Sequence, residues 1–287
     1  MKPVEDCVIG IVGLGLMGGA IAMALRKSGA APAGRLMACD TSAETLALAL
    51  ESGVIDRGFE SPEKMIPCCD LVFLCLNPST LIRFWNQWMP AFKPGTLITD
   101  IAGIKGPIVE ALEHNLRGDL DFIPGHPMAG SEKGGFANAA ACGFTGKNYI
   151  LTPLARNRPE NLEFIRNLIY RMGFGRITET SPASHDRKIA FTSQLCHVIA
   201  AALIDCEPDT EITRFGGGSF EDLTRIAMLN APMWTELFIG NKQELLKRIG
   251  QFEGSLEALK TLIASEAAGE LESRLAAVRD RRMKMNG

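Results

Sequence analysis

Val8-Ile9-Gly10-Ile11-Val12 runs without interruption into Gly13-Leu14-Gly15-Leu16-Met17-Gly18, and the residues that follow, to Leu25, are small and helix-compatible. The stretch reads as strand, glycine turn and helix. Gly13 permits the tight turn, Gly15 lets a pyrophosphate approach the backbone, and Gly18 lets the helix pack closely on the strand. The first turn of a helix leaves its N–H donors without intrahelical partners, so those of Leu16, Met17 and Gly18 face the phosphates. A second apolar run, Arg35-Leu36-Met37-Ala38-Cys39, ends in Asp40. That is close to the offset of about 20 residues at which an acid bonds the ribose hydroxyls of a dinucleotide. Thr41 and Ser42 follow it, and no arginine does. A carboxylate there repels a 2′-phosphate, so the pattern favours NAD over NADP, and Ser42 or Thr41 can cap the next helix.

Strand-like and helix-like segments alternate to about residue 180. Asp70-Leu71-Val72-Phe73-Leu74-Cys75-Leu76 is unbroken enough to be a parallel strand buried on both faces. It ends at Asn77-Pro78, where a backbone turn lines the cofactor groove. The helix opened by Ser79 carries Phe84, Trp85 and Trp88, read as packing. Thr96–Asp100 is the next strand, 101–106 a loop, and Pro107 fits the first turn of the following helix. Lys147–Leu151, Glu160–Met172 and Arg176–Thr178 read as strand, helix and strand. The pattern predicts an α/β fold: a doubly wound, mainly parallel sheet of Rossmann type over 1–180, followed by an all-helical domain over 181–287. Ser181–Ser184 starts the helical part, and its most apolar helix, Ile189–Ile204, is expected to be buried. Gly216-Gly217-Gly218 breaks it, Ser219–Asp222 resembles a capped start, and Asn241–Ala264 and Ala267–Arg282 read as long amphipathic helices.

The 287 residues carry a net charge of −3, with 22% charged and 46% hydrophobic residues. That balance argues against nucleic acid as a partner, since a phosphate-binding surface needs a basic excess. The first residues, Met-Lys-Pro-Val-Glu-Asp, hold no apolar signal core, and no stretch of 18 uninterrupted apolar residues occurs. A cytoplasmic protein without a membrane partner is expected. Eight cysteines with no Cys-x-x-Cys pair suggest neither zinc nor a disulfide framework, so no metal is expected and the thiols are read as reduced.

Gly125-His126-Pro127-Met128-Ala129-Gly130-Ser131-Glu132 follows the strand-like Phe122-Ile123. Ligands of an open α/β sheet bind outside the carboxyl ends of its strands, so His126 faces the site from a tight loop. Ser193 and His197, four apart on one helix, share a face and both project toward a ligand. His185 lies twelve residues before His197, about 120° away on a straight helix, and is read as structural or capping.

These segments, with Ser184-His185-Asp186, Ser193-Gln194-Leu195-Cys196-His197, Gly217–Ala227 and Met233-Trp234, resemble the prephenate dehydrogenase family over about residues 7 to 240. The family comprises the prephenate, arogenate and cyclohexadienyl dehydrogenases, the oxidative decarboxylases of tyrosine synthesis. The resemblance implies a Rossmann domain followed by a helical dimerisation domain, hence a homodimer, and NAD-dependent conversion of prephenate to 4-hydroxyphenylpyruvate or of arogenate to tyrosine. Such substrates carry a ring hydroxyl, a ring carboxylate and a side-chain carboxylate. His126 is then the base or acceptor for the hydroxyl, Arg225 the carboxylate grip, and Ser193 and His197 further substrate ligands; a guanidinium suits a carboxylate because it offers two parallel donors. No effector-binding segment is expected after residue 287.

One departure stands out. The family commonly has a serine in a loop of the form Asp-Val-Gly-Ser-Val-Lys, and here Asp100-Ile101-Ala102-Gly103-Ile104-Lys105 puts Gly103 in that place. Cys196 likewise replaces a common proline. Two other readings stay open at this point. One is a related hydroxyacid or imine reductase sharing the glycine turn, although such families lack the His126 loop. The other is a weakly catalytic NAD-binding sensor, suggested by Gly103 and opposed by the presence of His126, Arg225 and His197.

Overall fold

The apolar run Ile9–Val12 is strand β1 in a computed structural model of the chain, which describes residues 2–131 and 133–285. All four residues are buried, as a strand sandwiched between helix layers requires. Gly13, at φ +90°, turns the chain into helix α1 (Leu16–Lys27). Strand β2 (Leu36–Cys39) lies parallel to β1 and leads to helix α2 (Ala43–Glu51), whose N-cap Ser42 accepts a hydrogen bond from the Thr45 amide at 3.1 Å. Strand β3 (Arg57–Phe59), which the sequence pattern did not reveal, pairs with β2 at the sheet edge.

Strand β4 (Leu71–Leu74), helix α3 (Pro78–Trp88), strand β5 (Leu97–Asp100), helix α4 (Gly106–Glu113) and strand β6 (Asp121–Ile123) complete a parallel sheet of order β3-β2-β1-β4-β5-β6. The order reverses between β1 and β4, which opens a crevice at their carboxyl ends. Trp85 of α3 is fully buried against Phe92 and Phe122, and its indole N–H donates to Asn115, so it packs as expected.

Pro124 follows β6, and the chain leaves the main sheet there. Gly125–Pro127, expected as a loop, is strand β7, antiparallel to β8 (Asn148–Leu151). Helix α5 (Pro159–Arg171) then leads to β9 (Arg176–Glu179), which completes a separate three-stranded sheet with β8. The late strands therefore do not extend the parallel sheet. The Tyr149 ring of β8 lies where a Cβ on residue 125 would come within 2.6 Å of it, so only glycine allows the two strands to approach.

From Ser181, whose hydroxyl caps the Ser184 amide, helices are the only regular elements among the described residues. Helix α6 (Pro182–Ile189) passes through a π-helical turn at Ala190–Gln194 into α7 (Leu195–Asp205). Among the described residues, Pro182–Asp205 is long and apolar enough to cross a membrane by length and composition. It was expected to be buried, but only one face is: Ile189, Ala190, Gln194 and Leu195 are enclosed, whereas Phe191, Leu203 and Ile204 stand exposed in the single chain. Helix α8 (Gly218–Thr224) starts at the Gly217 cap, ahead of the expected Ser219 start, and α9 (Ala231–Gly240) follows.

The chain forms two compact units, Met1–Asn241 and Lys242–Gly287. Helices alone begin at 181, yet the first unit continues to Asn241 because polar side chains tie the helical segments to one another. The Asn241 side-chain amide donates to the Asp186 carbonyl at 3.0 Å and to Gln194 Oε1 at 2.8 Å, while the Gln194 amide donates to the Leu237 carbonyl at 3.0 Å. The second unit is a hairpin of α10 (Lys242–Ala264) and α11 (Ala268–Lys284).

Candidate functional site

The crevice deepens into a cavity of about 570 Å³ in the first unit. One wall is the start of α1, residues Gly15 to Gly18. A Cβ on Gly18 would fall 1.9 Å from the Gly13 carbonyl oxygen, whereas a Cβ on Gly15 would meet nothing within 4 Å. Gly18 is thus the close-packing glycine and Gly15 the open one, as the turn predicts. No side chain caps α1, whose N-cap is Gly15. Uncapped amides facing an open crevice suit a diphosphate. Asn77 and its neighbours Cys75, Leu76 and Pro78 form the adjoining wall. Asp40 lies off the cavity and braces the turn: its carboxylate accepts from the Leu14 amide at 2.7 Å and the Ser42 amide at 2.9 Å.

His126 lines the same cavity from β7. Its Nδ1 lies 2.9 Å from Nε2 of His185, and Nδ1 of His185 lies 2.7 Å from Oδ1 of Asp186. Asp186 in turn accepts from the backbone amides of Lys105 at 2.8 Å and Gly106 at 2.7 Å, where α4 begins. Beneath them the fully buried Lys105 ammonium meets Asp100 at 2.5 Å, and Asp100 also accepts from the Gly125 amide, next to His126. A buried pair of this kind persists where further hydrogen bonds satisfy both charges. Burial, then the neighbouring His185 and Lys105, hold His126 well below the ordinary histidine range. Burial also lowers His185, against the pull of Asp186, and lowers Lys105 against Asp100.

The free edge of His126 looks toward Gly103. A Cβ there would lie 3.8 Å from His126 Nε2 and 3.2 Å from Leu237 Cδ2. A serine at this position would reach the imidazole, but the Leu237 side chain would first have to yield by a few tenths of an ångström.

Ser193 and His197 both line the cavity, as expected of one helix face. His197 Nδ1 donates to the Ser193 carbonyl at 2.9 Å, and its ring lies against Trp234 of α9 with centroids 3.6 Å apart. Arg225 is different. It is exposed, and the wall is formed by Ile226, Met228 and Leu229 beside it, so the expected grip lies outside the cavity of the single chain. The short helical turn Arg225–Ala227 places Ile226 in that wall. Among the described residues, the ionisable side chains lining the cavity are Cys75, His126 and His197. Glu132, the last residue of the His126 motif, lies outside the described residues.

The offset of about 120° expected for His185 assumed a straight helix, and the helix is not regular. Twelve steps of regular α-helix end about 120° out of phase, but a π turn holds one residue more than an α turn. Eleven effective steps come within about 20° of three full turns. The π turn at Ala190–Gln194 therefore brings His185 and His197 to one face. The adjacent His185-Asp186 pair was the signal available in the sequence; its partners Lys105 and His126 are distant along the chain.

The family model described as "Prephenate dehydrogenase, nucleotide-binding domain" matches residues 21–178, and that described as "Prephenate dehydrogenase, dimerization domain" matches 181–277. The chain is 31% identical over 277 residues to a prephenate dehydrogenase of Bacillus subtilis, covering 94% of this chain and 74% of that one. The crystal structure of prephenate dehydrogenase from A. aeolicus in complex with hydroxyphenyl propionate and NAD+ superposes with a TM-score of 0.85 at 33% identity, covering 96% of this chain and 97% of that one. Synechocystis arogenate dehydrogenase superposes at 0.78 and 28% identity, covering 96% and 99%. With two family models that together span most of its length, and a glycine turn and a half-buried histidine meeting in one cavity, this chain belongs to the prephenate dehydrogenase family.

Proposed function

We propose that the protein catalyses the NAD-dependent oxidative decarboxylation of prephenate or arogenate. The observation that carries this reading is that His126 and the uncapped start of α1 open on the same cavity. The turn from Gly13 to Gly18 and the wall at Asn77 hold the dinucleotide, with Asp40 bracing the turn beside the ribose. NAD, when bound, supplies the hydride acceptor. His126 receives the proton of the ring hydroxyl on Nε2 as the C–O bond becomes a carbonyl and the hydride departs. Loss of carbon dioxide then leaves the ring aromatic, which makes the step irreversible.

A low proton affinity keeps His126 in its accepting form near neutral pH. Apolar walls from Met233, Trp234 and Leu237 exclude water from the reacting carbon. Ser193 and His197 contact the carboxylate-bearing part of the substrate, and Arg225, next to the wall residue Ile226, is assigned a substrate carboxylate. The functional division lies at 180/181. The protein is cytoplasmic and acts as a homodimer through its helical part, whose exposed apolar residues await a cover.

NADH formation with either substrate tests the reaction. His126→Asn is expected to lower kcat by about 10²–10⁴-fold while leaving NAD affinity intact. Undiminished turnover in that variant refutes His126 as the acceptor, and absence of turnover by the wild type with both substrates refutes the reaction.

A further inference from the structure

We propose that His185 is a positioning residue for this chemistry: anchored by Asp186, it holds His126 in the tautomer whose unprotonated Nε2 faces the cavity. The inference rests on the functional reading above for its kinetic consequence, though not for the tautomer itself.

The argument is one of donors and acceptors. Both oxygens of Asp186 already accept from backbone amides, Oδ1 from Lys105 and Oδ2 from Gly106. Oδ1 also faces His185 Nδ1 at 2.7 Å, and a carboxylate can only accept, so the proton of a neutral His185 sits on Nδ1. Its Nε2 is then an acceptor. The sole way to satisfy the 2.9 Å contact with His126 Nδ1 is for His126 to donate from that nitrogen. The lone pair of His126 is left on Nε2, the atom nearest Gly103 and the cavity.

Were His185 a cation, its Nε2–H would donate instead, and His126 would present an N–H to the substrate hydroxyl and lose its function as acceptor. The groups facing His185 decide between these states. Asp186 on its own helix and Asp100 on β5 favour the cation; Lys105 before α4 disfavours it, as does enclosure of the ring, and the balance lies below the ordinary histidine value. His126 on β7 faces it as the hydrogen-bond partner. When His126 takes the substrate proton, its Nδ1–H remains donated to His185, and no proton has to pass between the rings. The arrangement parallels a carboxylate orienting a catalytic imidazole, with a second imidazole interposed.

The sequence contains four histidines, so ¹⁵N-histidine labelling of the full chain gives a resolvable spectrum, with exposed His114 as an internal solvent reference. The expected wild-type result is a protonated Nδ1 and an unprotonated Nε2 on His126 at neutral pH. His185→Phe, similar in shape but without an acceptor, should mix the tautomers. It should lower kcat by about 10- to 100-fold, as loss of a supporting partner does elsewhere, with NAD affinity and KM little changed. His185→Gln, whose Oε1 can accept from Nδ1, should restore most of the loss and move the acid limb of the pH–rate profile, which a purely structural role would leave in place.

A wild-type His126 protonated on Nε2 overturns the proposal, as does a folded His185→Phe protein with unchanged tautomer and kcat. If the Phe variant does not fold, the wild-type spectrum and the Gln variant still decide. A wild type inert toward prephenate and arogenate refutes the functional reading alone, since the tautomer is read without substrate.

Discussion

The tightest constraint at the level of single residues is Gly18. Its missing side chain is what lets α1 sit against the Gly13 carbonyl, and an added Cβ would stand 1.9 Å from that oxygen. No rotamer relieves a backbone clash. Gly18→Ala is therefore expected to displace the start of α1, lowering stability by about 1–3 kcal/mol and weakening NAD binding more than substrate binding. Urea unfolding and cofactor titration check both parts, and a variant with wild-type affinity would show that the turn tolerates displacement. These glycines were legible in the sequence because each has one geometric task at a fixed spacing. The surroundings of Arg225 were not legible in the same way: its position along the chain follows from the motif, but its exposure on the short helical turn after α8 depends on packing.

Among the elements, the turn at Ala190–Gln194 sets the phase between the two histidines of its helix. Deleting Thr192, an exposed residue within it, should convert the segment to regular α-helix and rotate His185 away from His126 by about 100°. The expected outcome is loss of substrate turnover by about 100-fold or more with NAD binding retained, because the glycine turn belongs to other elements. Equal loss of both in steady-state kinetics and cofactor titration would mean that the helix supports the whole crevice. Nothing in residues 190–194 announces a π turn, since its cost is offset by tertiary contacts such as those of Gln194 and Asn241. The same limit explains the missed β3: Arg57-Gly58-Phe59 is too short and too polar for a periodic signal, and pairing with β2 makes it a strand. By contrast β1 and β4 are buried along their whole length, and their unbroken apolar character named them in advance.

For the molecule as a whole, the buried His185 and the half-buried His126 link stability to pH. Both have lowered folded-state pKa values, so the unfolded chain takes up protons near its ordinary value of about 6.5 while the folded chain resists. Their contribution is fully present above that value and is lost as pH falls below it. The slope reaches up to about 1.4 kcal/mol per pH unit for each histidine. Urea unfolding between about pH 7.5 and 5 reads it, and His185→Gln should flatten the curve by one histidine's share; equal slopes in the two proteins would contradict the shift. Association is the other property of this scale. Phe215 is 87% exposed and Leu223 57%, apolar side chains that a partner subunit would cover. The chain is expected to sediment as a dimer and Phe215→Asp to shift it toward monomer, whereas a monomeric wild type at about micromolar concentration would remove the homodimer from the reading.

The close contact of the Trp234 and His197 rings carries an optical consequence. Of the three tryptophans, Trp85 is sealed in the core and hydrogen-bonded, Trp88 is partly buried, and Trp234 alone lines the cavity, with an imidazole 3.6 Å from its ring centre. A ligand seated beside His197 changes the solvent contact and the field around the indole, to which its emission responds. On the proposed placing of the substrate carboxylate near His197, the protein's own fluorescence is expected to report occupancy of that end of the cavity, while the steady emission of Trp85 serves as the reference against which binding can be followed in real time.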